Sequence, residues 1–150
     1  MPLLLADVSI FQTSWHESEA HLRAVRTPVF VVEQLVTPEF EWDELDASAL
    51  HLLAMLNNLN LETQPIACLR ILNYHKIGRM AVLKQYRGNG LGAALLREAV
   101  AICKNNGSKN VILSAQTHAI TFYEKCGFKV TSAVYQDLHI AHVDMQITLD

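Results

Sequence analysis

A basic, glycine-rich turn between an apolar strand and an amphipathic helix contains the residues of this sequence best suited to chemistry. The turn reads Arg87-Gly88-Asn89-Gly90-Leu91-Gly92. Its glycines let the backbone adopt positive φ and approach a ligand closely, while the amides of the turn and of the helix N-terminus can point at an anion. Arg87 adds a full positive charge. The segment therefore predicts a binding site for a pyrophosphate group, with these six residues as its ligands.

Two other phosphate-binding motifs do not fit this turn. A P-loop requires Lys followed by Ser or Thr, where this chain has Ala93-Ala94. A dinucleotide fingerprint requires Gly-x-Gly-x-x-Gly, and the third glycine here comes one residue early. The alternative to a pyrophosphate site is a structural turn that joins a strand to a helix.

A second motif follows at 119–128, where the chain reads Ala-Ile-Thr-Phe-Tyr-Glu-Lys-Cys-Gly-Phe. The Arg-x-x-Gly-x-Gly turn resembles the acyl-CoA pyrophosphate loop of the GNAT (Gcn-related N-acetyltransferase) superfamily. The Phe-Tyr-x-Lys-x-Gly-Phe helix resembles the other hallmark of that superfamily, and the two stand in the expected order. The resemblance implies the GNAT acyl-CoA N-acyltransferase fold, an α/β (α+β) domain with a central mixed β-sheet and helices on both faces.

The front half of the chain, together with several later residues, resembles the ElaA-like branch of the same superfamily. The residues that carry this resemblance are Val29-Phe30-Val31-Val32-Glu33-Gln34, Asp46, His51, Ala67-x-x-Arg70, Ala115-Gln116-x-His118, Val134-Tyr135 and His142. The acidic segment 41–46 departs from the Gly-Asp-rich version of that branch. We favour a solvated loop there, and the alternative is an acidic surface that attracts a cationic amine.

The hydrophobic pattern predicts the elements that position these motifs. Strands are expected, in chain order, at 8–12, 49–56, 65–72, 76–83, 111–114 and 142–149. Helices are expected from Ser18 onward, broken into two short helices at Thr27-Pro28, and then at 91–105 and 119–123. The turn-prone Asn57-Asn58-Leu59-Asn60 predicts a hairpin between the second and third strands. This order of strands and helices predicts a mixed sheet covered on both faces.

Composition limits the class of protein. The length of 150 residues fits one domain spanning 1–150. A net charge of −3 argues against a nucleic-acid partner. No apolar run has the length of a membrane span, and the first residues lack the pattern of a secretion signal. Cys68, Cys103 and Cys126 are odd in number and lie in apolar settings, which predicts reduced thiols in a cytoplasmic protein rather than disulfides or metal ligands.

The GNAT resemblance implies acetyl-CoA as the co-substrate, with no metal, and two adjacent parallel strands that splay apart around Met80. The pantetheine arm would lie in the gap, paired with backbone groups of Met80, Ala81 and Val82, and one of these amides would stabilise the thioester oxyanion. Gln116 and Phe122 complete the predicted cofactor contacts. The alternatives are that Gln116 orients water or substrate and that Phe122 is a packing residue.

An amine attacks a thioester only when it is neutral, so a base or a water path must take its proton. Glu33, His51 and His142 are the candidate bases. The alternatives are a cap or salt bridge for Glu33, a hydrogen-bonded strand position for His51 and a sheet-edge position for His142. Tyr123 resembles the general acid of the family, because a phenol with a pKa of about 10 suits a departing alkyl thiolate. Its alternative is a core tyrosine.

These residues predict an acetyl-CoA-dependent N-acetyltransferase that acts on a small-molecule or peptide amine by direct attack in a ternary complex. A covalent route through Cys126 is a less favoured alternative, because this residue ends a helix before Gly127. The other alternative is a non-catalytic acyl-CoA-binding or regulatory module, against which the retained Tyr123 argues. A homodimer is compatible with an exposed sheet edge and with the habits of the family.

Overall fold

The computed structural model describes residues 3–57 and 63–150, which form one mixed sheet with helices on both faces. In the described residues the strands are β1 (Val8–Thr13), β2 (Leu50–Asn57), β3 (Thr63–Leu72), β4 (Lys76–Val82), β5 (Asn110–Gln116), β6 (Lys129–Val130), β7 (Tyr135–Asp137) and β8 (Ile140–Thr148). Their order in the sheet is β1-β2-β3-β4-β5-β8-β6, with β7 paired to β8. The β4–β5 pair is parallel and the other pairs are antiparallel. The predicted mixed sheet is confirmed.

The described helices are α1 (Trp15–Arg26), α2 (Pro38–Glu41), α3 (Leu91–Asn105) and α4 (Ile120–Lys125). The helix α1 begins before the predicted Ser18, because the Oγ of Ser14 caps it by accepting from the amide of Glu17 at 3.1 Å. The predicted interruption at Thr27-Pro28 is present, since α1 ends at Arg26 and a second helical segment begins at Thr27. This second segment, Thr27–Glu33, is π-helical, and Pro28 lies in its first turn, where a missing N–H is tolerated.

Each face of the sheet has its own helix layer. Leu22 and Val25 of α1 form a buried cluster with Leu53 and Cys68 on one face. The opposite face carries α3. The buried cluster on this side joins residues of α3 to residues of β2 and β3, among them Leu91, Leu95, Leu96, Ala99, Leu52, Ala67 and Leu69. Burial of these apolar side chains fixes the faces of the strands, since neighbouring residues of a strand point to opposite sides.

The hairpin of β2 and β3 is confirmed as an antiparallel pair, with Leu53 opposite Cys68. Its predicted turn at Asn57-Asn58-Leu59-Asn60 lies outside the described residues except for Asn57. The short strand β7 is absent from the sequence prediction, and β8 begins at Ile140 rather than His142.

A β-bulge and a divergence of strands shape the middle of the sheet. Cys68 of β3 lies opposite Ala81 and Arg70 opposite Gly78, so that two residues of β4, Arg79 and Met80, face one residue of β3. Arg79 has a φ of 47°. In the described residues β4 pairs with β5 at 76–77 and nowhere further along, so the strands run apart beyond Ile77. The bulge therefore lies where the sheet opens, as the resemblance implied around Met80.

The expectation of a solvated acidic loop at 39–46 is wrong. The segment forms α2 followed by a 3₁₀ turn, Glu44–Asp46, and the side chains of Glu41 and Asp46 are 2% exposed. Carboxylates are buried only when they are paired, and the arginines that pair with them come from elements distant in sequence.

Candidate active site

The predicted pyrophosphate turn follows a 3₁₀ turn, Lys84–Tyr86, and leads into α3. Gly88 and Gly90 both have a φ of +81°, a conformation that residues with a Cβ rarely adopt. The side-chain amide of Asn89 donates to the carbonyl oxygens of Tyr86 (3.2 Å) and Arg87 (3.1 Å), which braces the turn.

The amides of this turn are available to an anion. Within the described part of the chain, no backbone hydrogen bond is formed by the amides of Gly88, Asn89 or Gly90. The first amides of α3, from Leu91 onward, have no acceptor inside the helix because of their position. A phosphate group fits such a set of converging N–H donors at a helix N-terminus.

Gly92 allows α3 to pack closely on its neighbours. A Cβ at this position would lie 3.4 Å from Cζ of Phe122 and 4.0 Å from Cγ2 of Val82. The glycine turn, the end of β4 and α4 are therefore in contact. Phe122 packs directly against the first turn of α3, which brings Tyr123 to the same region.

Arg87 and Glu33, the predicted anchor and a predicted base, are paired with each other. Nη1 and Nη2 of Arg87 donate to Oε2 and Oε1 of Glu33, each at 3.0 Å. Nε of Arg87 donates to the carbonyl oxygen of Val82 at 2.8 Å. The two side chains are 42% and 33% exposed, so the pair lies at the surface beside the glycine turn.

The strand residues predicted to bind pantetheine lie at the opening of the sheet. Ala81 and Val82 keep register with Cys68 and Ala67 of β3. Met80 is the bulge residue and has no register partner on β3 or β5 within the described chain. Met80 therefore lies where β4 leaves its regular pairing, at the place where an extended ligand could enter the gap.

Tyr123 lies on α4 between two aromatic rings. Its ring meets Phe122 edge-on at a centroid distance of 5.1 Å and Phe128 at 6.1 Å. Burial raises the pKa of Tyr123 to about 12, with a smaller contribution from the neighbouring Cys126. The phenol therefore stays protonated at neutral pH and can donate a proton. The sequence argument used the ordinary pKa of a phenol and gave burial only as the alternative of a core tyrosine.

Gln116 and His142 are brought together as register partners at the ends of β5 and β8. Gln116 also exchanges two hydrogen bonds with Gln34, of 2.8 and 3.4 Å, and its Oε1 accepts from Nε2 of His118 at 2.7 Å. Gln34 received no role from the sequence. The available signal was its position directly after Glu33.

The tautomer of His142 follows from its hydrogen bond. Its Nδ1 lies 2.7 Å from the carbonyl oxygen of Ile140, and its ring stacks on Tyr135 at 6.0 Å. A carbonyl oxygen only accepts, so Nδ1 carries the proton and Nε2 of the neutral ring has a free lone pair. The geometry leaves this nitrogen able to take a proton.

His51 occupies a different environment from the other two candidate bases. The residue is 1% exposed, its Nε2 lies 2.9 Å from the carbonyl oxygen of Asp46, and its ring is 5.8 Å from that of Trp15. Burial lowers the pKa of His51, which keeps the ring neutral. In this position the imidazole has no open surface through which to meet an amine.

A buried ion cluster surrounds Arg26 and was not predicted. Nη1 and Nη2 of Arg26 donate to the carboxylate of Asp46 at 2.8 and 3.2 Å. Nη2 also donates to the carbonyl oxygen of Glu41 at 2.8 Å. The guanidinium lies 4.9 Å from the ring of Trp42 and 5.5 Å from that of Trp15. These contacts compensate the removal of the charge from water.

The same cluster reaches the β4 bulge through two further arginines. Nη1 of Arg70 donates to Asp43 at 2.8 Å and to Asp46 at 3.1 Å. Nη2 of Arg79 donates to Asp43 at 3.2 Å, and its Nε lies 3.2 Å from Oε1 of Glu41. The segment 38–46 is thereby tied to the strand that carries Met80. A sequence signal existed, since Arg26 and Arg70 stand in apolar patterns where a charge needs a partner.

The pKa values of two carboxylates in this cluster, Asp46 and Glu41, shift in opposite directions. Burial acts to raise the pKa of Asp46, but the hydrogen bonds and charges of Arg26 and Arg70 outweigh it and lower the pKa. Burial raises the pKa of Glu41 despite the charges of Arg79 and Arg26. Asp46 is therefore the carboxylate that holds its charge most firmly.

Neither an activated thiol nor a cluster of metal ligands is found in the part of the chain that the structure describes. Burial raises the pKa of Cys68 to about 12 and also raises the pKa of Cys103 and of Cys126, so none is activated as a thiolate. In residues 3–57 and 63–150, no group of three or more His, Cys, Asp or Glu is arranged to hold a metal ion. No helix of the described chain has the length and apolarity needed to cross a membrane.

Comparison with known proteins identifies the family. Residues 20–149 match the acetyltransferase (GNAT) domain. The chain is 34% identical over 125 residues to the uncharacterized N-acetyltransferase YjcF of Bacillus subtilis, covering 81% of this chain and 86% of YjcF. It is 31% identical over 132 residues to the protein ElaA of Escherichia coli, covering 83% of each. A crystal structure of an acyl-CoA N-acyltransferase from Pseudomonas aeruginosa superposes with a TM-score of 0.80 at 30% identity, over 94% of this chain and 99% of that chain.

The chain belongs to the GNAT family of acetyltransferases, in the branch that includes ElaA. The predicted family and fold are confirmed.

Proposed function

We propose that the protein is an acetyl-CoA-dependent N-acetyltransferase that acetylates a primary amine by direct attack in a ternary complex. The observation that carries this proposal is the opening of the sheet at Met80, with the glycine turn at the end of the same strand. Tyr123 adjoins this opening through Phe122, which contacts Gly92 and Val82. The phenol of Tyr123 is therefore the proton donor that we propose, close to the opening of β4 and to the glycine turn.

The residues present fit an acyl-CoA. The amides of Gly88 to Gly92 would hold the pyrophosphate, and the backbone of Met80, which has no register partner on β3 or β5, would pair with the amide groups of pantetheine. Phe122 packs against Gly92, the last residue of this loop. Acetyl-CoA, when bound, supplies an activated acetyl thioester. An amide at Met80 that donates to the developing oxyanion would contribute about 3 kcal/mol, the usual value for one such donor.

Proton movement is assigned to two further positions. Tyr123 is assigned the donation of a proton to the departing sulfur, because its phenol is protonated at neutral pH and its neighbour Phe122 contacts Gly92 of the cofactor turn. Glu33 and His142 are the groups we propose for removing the proton of the amine. Glu33 is a surface carboxylate beside the cofactor turn, and Nδ1 of His142 is engaged by the carbonyl oxygen of Ile140, which leaves Nε2 for the amine. His51 is assigned a structural role, since its imidazole is buried and bonded to Asp46.

The acceptor is a small-molecule or peptide amine. A pocket of about 310 Å³ next to His142 is lined by Ser114, Tyr135 and Asp144, which are joined by hydrogen bonds, and it is the place we propose for the acceptor. Direct attack is supported by the thiols, whose pKa values burial raises. Free cysteines also support a reducing, cytoplasmic location.

The test is release of CoA, followed with a thiol reagent over a panel of amines. Tyr123→Phe should lower kcat by about 10²-fold or more while the Kd for CoA stays constant, because the phenol acts on the leaving group. Tyr74→Phe, an exposed tyrosine in the β3–β4 turn, is the matched control. Full turnover by Tyr123→Phe would remove the acid from the proposal. CoA binding without turnover of any amine would favour a non-catalytic acyl-CoA-binding module.

A further inference from the structure

The ion pair of Arg87 with Glu33 joins the end of the π-helical segment to the start of the glycine turn. The two residues are far apart in sequence, and both N–O distances are 3.0 Å, with the two forks facing each other. Neither side chain is buried. Such a pair is not needed to compensate a desolvated charge, which distinguishes it from the pairs around Arg26.

The geometry places Glu33 where a phosphate oxygen pair would bind Arg87. Nε of Arg87 is occupied by the carbonyl oxygen of Val82 at 2.8 Å, which orients the guanidinium. The end formed by Nη1 and Nη2 therefore remains for bidentate contact, and Glu33 occupies it. Carboxylate and phosphate groups match this fork in the same way, so the two compete for the same donors.

We infer that Glu33 is an internal competitor of the cofactor pyrophosphate, and that acyl-CoA binding transfers Arg87 from Glu33 to the phosphate. The inference rests on the proposed function. Before the cofactor binds, Arg87 holds both oxygens of the Glu33 carboxylate. After transfer, the carboxylate is released from this ion pair and becomes available to the amine. The amine thus meets a competent site only after acyl-CoA is bound, which orders the two substrates.

The backbone around Glu33 is held in place while its side chain is exchanged. The next residue, Gln34, bonds twice to Gln116, and its amide donates to the carbonyl oxygen of Val29 at 3.2 Å. Release therefore turns the Glu33 side chain and leaves the π-helical segment where it is. The residue next to Glu33 thus stays joined to Gln116, the register partner of His142.

The test is calorimetric titration of the full chain with CoA at fixed low salt. The proteins are the wild type, Glu33→Gln, Arg87→Ala and the double variant. Glu33→Gln keeps the shape of the side chain and removes the competing charge, so it should bind CoA up to about fivefold more tightly, the factor that corresponds to the upper value of an exposed ion pair. In the Arg87→Ala background, Glu33→Gln should leave the Kd for CoA unaltered.

A matched control separates competition from general electrostatics. Glu98→Gln makes the same change in net charge on the exposed side of α3 and should leave the Kd for CoA within twofold of the wild type. An unchanged or weaker affinity of Glu33→Gln, or an equal gain with and without Arg87, would overturn the inference alone. A wild type that binds no CoA would overturn the proposed function and the competition together.

Discussion

Replacing Asp46 by Asn removes the charge at the centre of the buried ion cluster while keeping the size of the side chain. Asp46 accepts from Arg26 at 2.8 and 3.2 Å and from Arg70 at 3.1 Å, and its side chain is 2% exposed. An amide has one oxygen and no charge, so both guanidinium groups lose compensation in a place that water does not reach. Breaking a buried pair in this way costs about 3–5 kcal/mol.

The expected loss is large for a domain of this size. Folded domains are stable by about 5–15 kcal/mol, so a loss of about 3–5 kcal/mol in Asp46→Asn should remove roughly a fifth or more of the free energy of unfolding and lower Tm by on the order of 10 °C. Urea unfolding followed by circular dichroism measures it. Asp137→Asn, an exposed carboxylate on β7, is the control and should stay within about 0.5 kcal/mol of the wild type.

The pH dependence of the free energy of unfolding gives a second test of the role of Asp46. The arginines hold the pKa of Asp46 below its usual value, so its stabilisation is complete above the unfolded pKa of 3.8 and is lost as the pH falls through the folded pKa. Asp46→Asn should lack this part of the acid transition. A loss below about 1 kcal/mol at pH 7, or an unchanged acid transition, would refute the argument that Asp46 carries the cluster.

Three further outcomes are expected. Gly90→Ala should lose about 1–2 kcal/mol of stability and weaken CoA binding, because alanine is strained at a φ of +81°, whereas Gly78→Ala, with open space around it, should change CoA affinity little. Burial lowers the pKa of His51, so the unfolded chain binds a proton that the folded one does not, and stability should fall as the pH drops below about 6.5. In urea unfolding at pH 7 and pH 5, His51→Gln should show a smaller fall, with exposed His21→Gln as control. Burial raises the pKa of Tyr123 to about 12, so the free energy of unfolding should fall as the pH rises from about 10 to 12. Tyr123→Phe should lack this part of the fall, which urea unfolding of both proteins over that pH range measures.

The sequence was most informative where local spacing decides the structure. The glycine turn, α3 and the β2–β3 pair follow from short patterns of glycine, apolar period and strand propensity, and all three are present. The family motifs also indicated where the sheet opens. These features depend on residues within one element and its neighbour.

Features that depend on distant pairs were not predictable. Arg26 and Asp46 come from different elements, and only the fold decides that they meet. For the same reason the acidic segment looked solvated, although its partners lie on α1, β3 and β4. The Arg87–Glu33 pair likewise joined two residues to which the sequence had assigned separate roles.

The arginines of the ion cluster make the acidic segment an extension of the β4 bulge rather than an independent loop. Arg79 belongs to the β4 bulge and is held at a positive φ while its guanidinium contacts Glu41, Asp43 and the carbonyl oxygen of Phe40. A graft of residues 38–46 from another acetyltransferase would therefore disturb the bulge beside Met80 as well as the grafted segment. An exchange of this segment requires that Arg26, Arg70 and Arg79 be exchanged together with it.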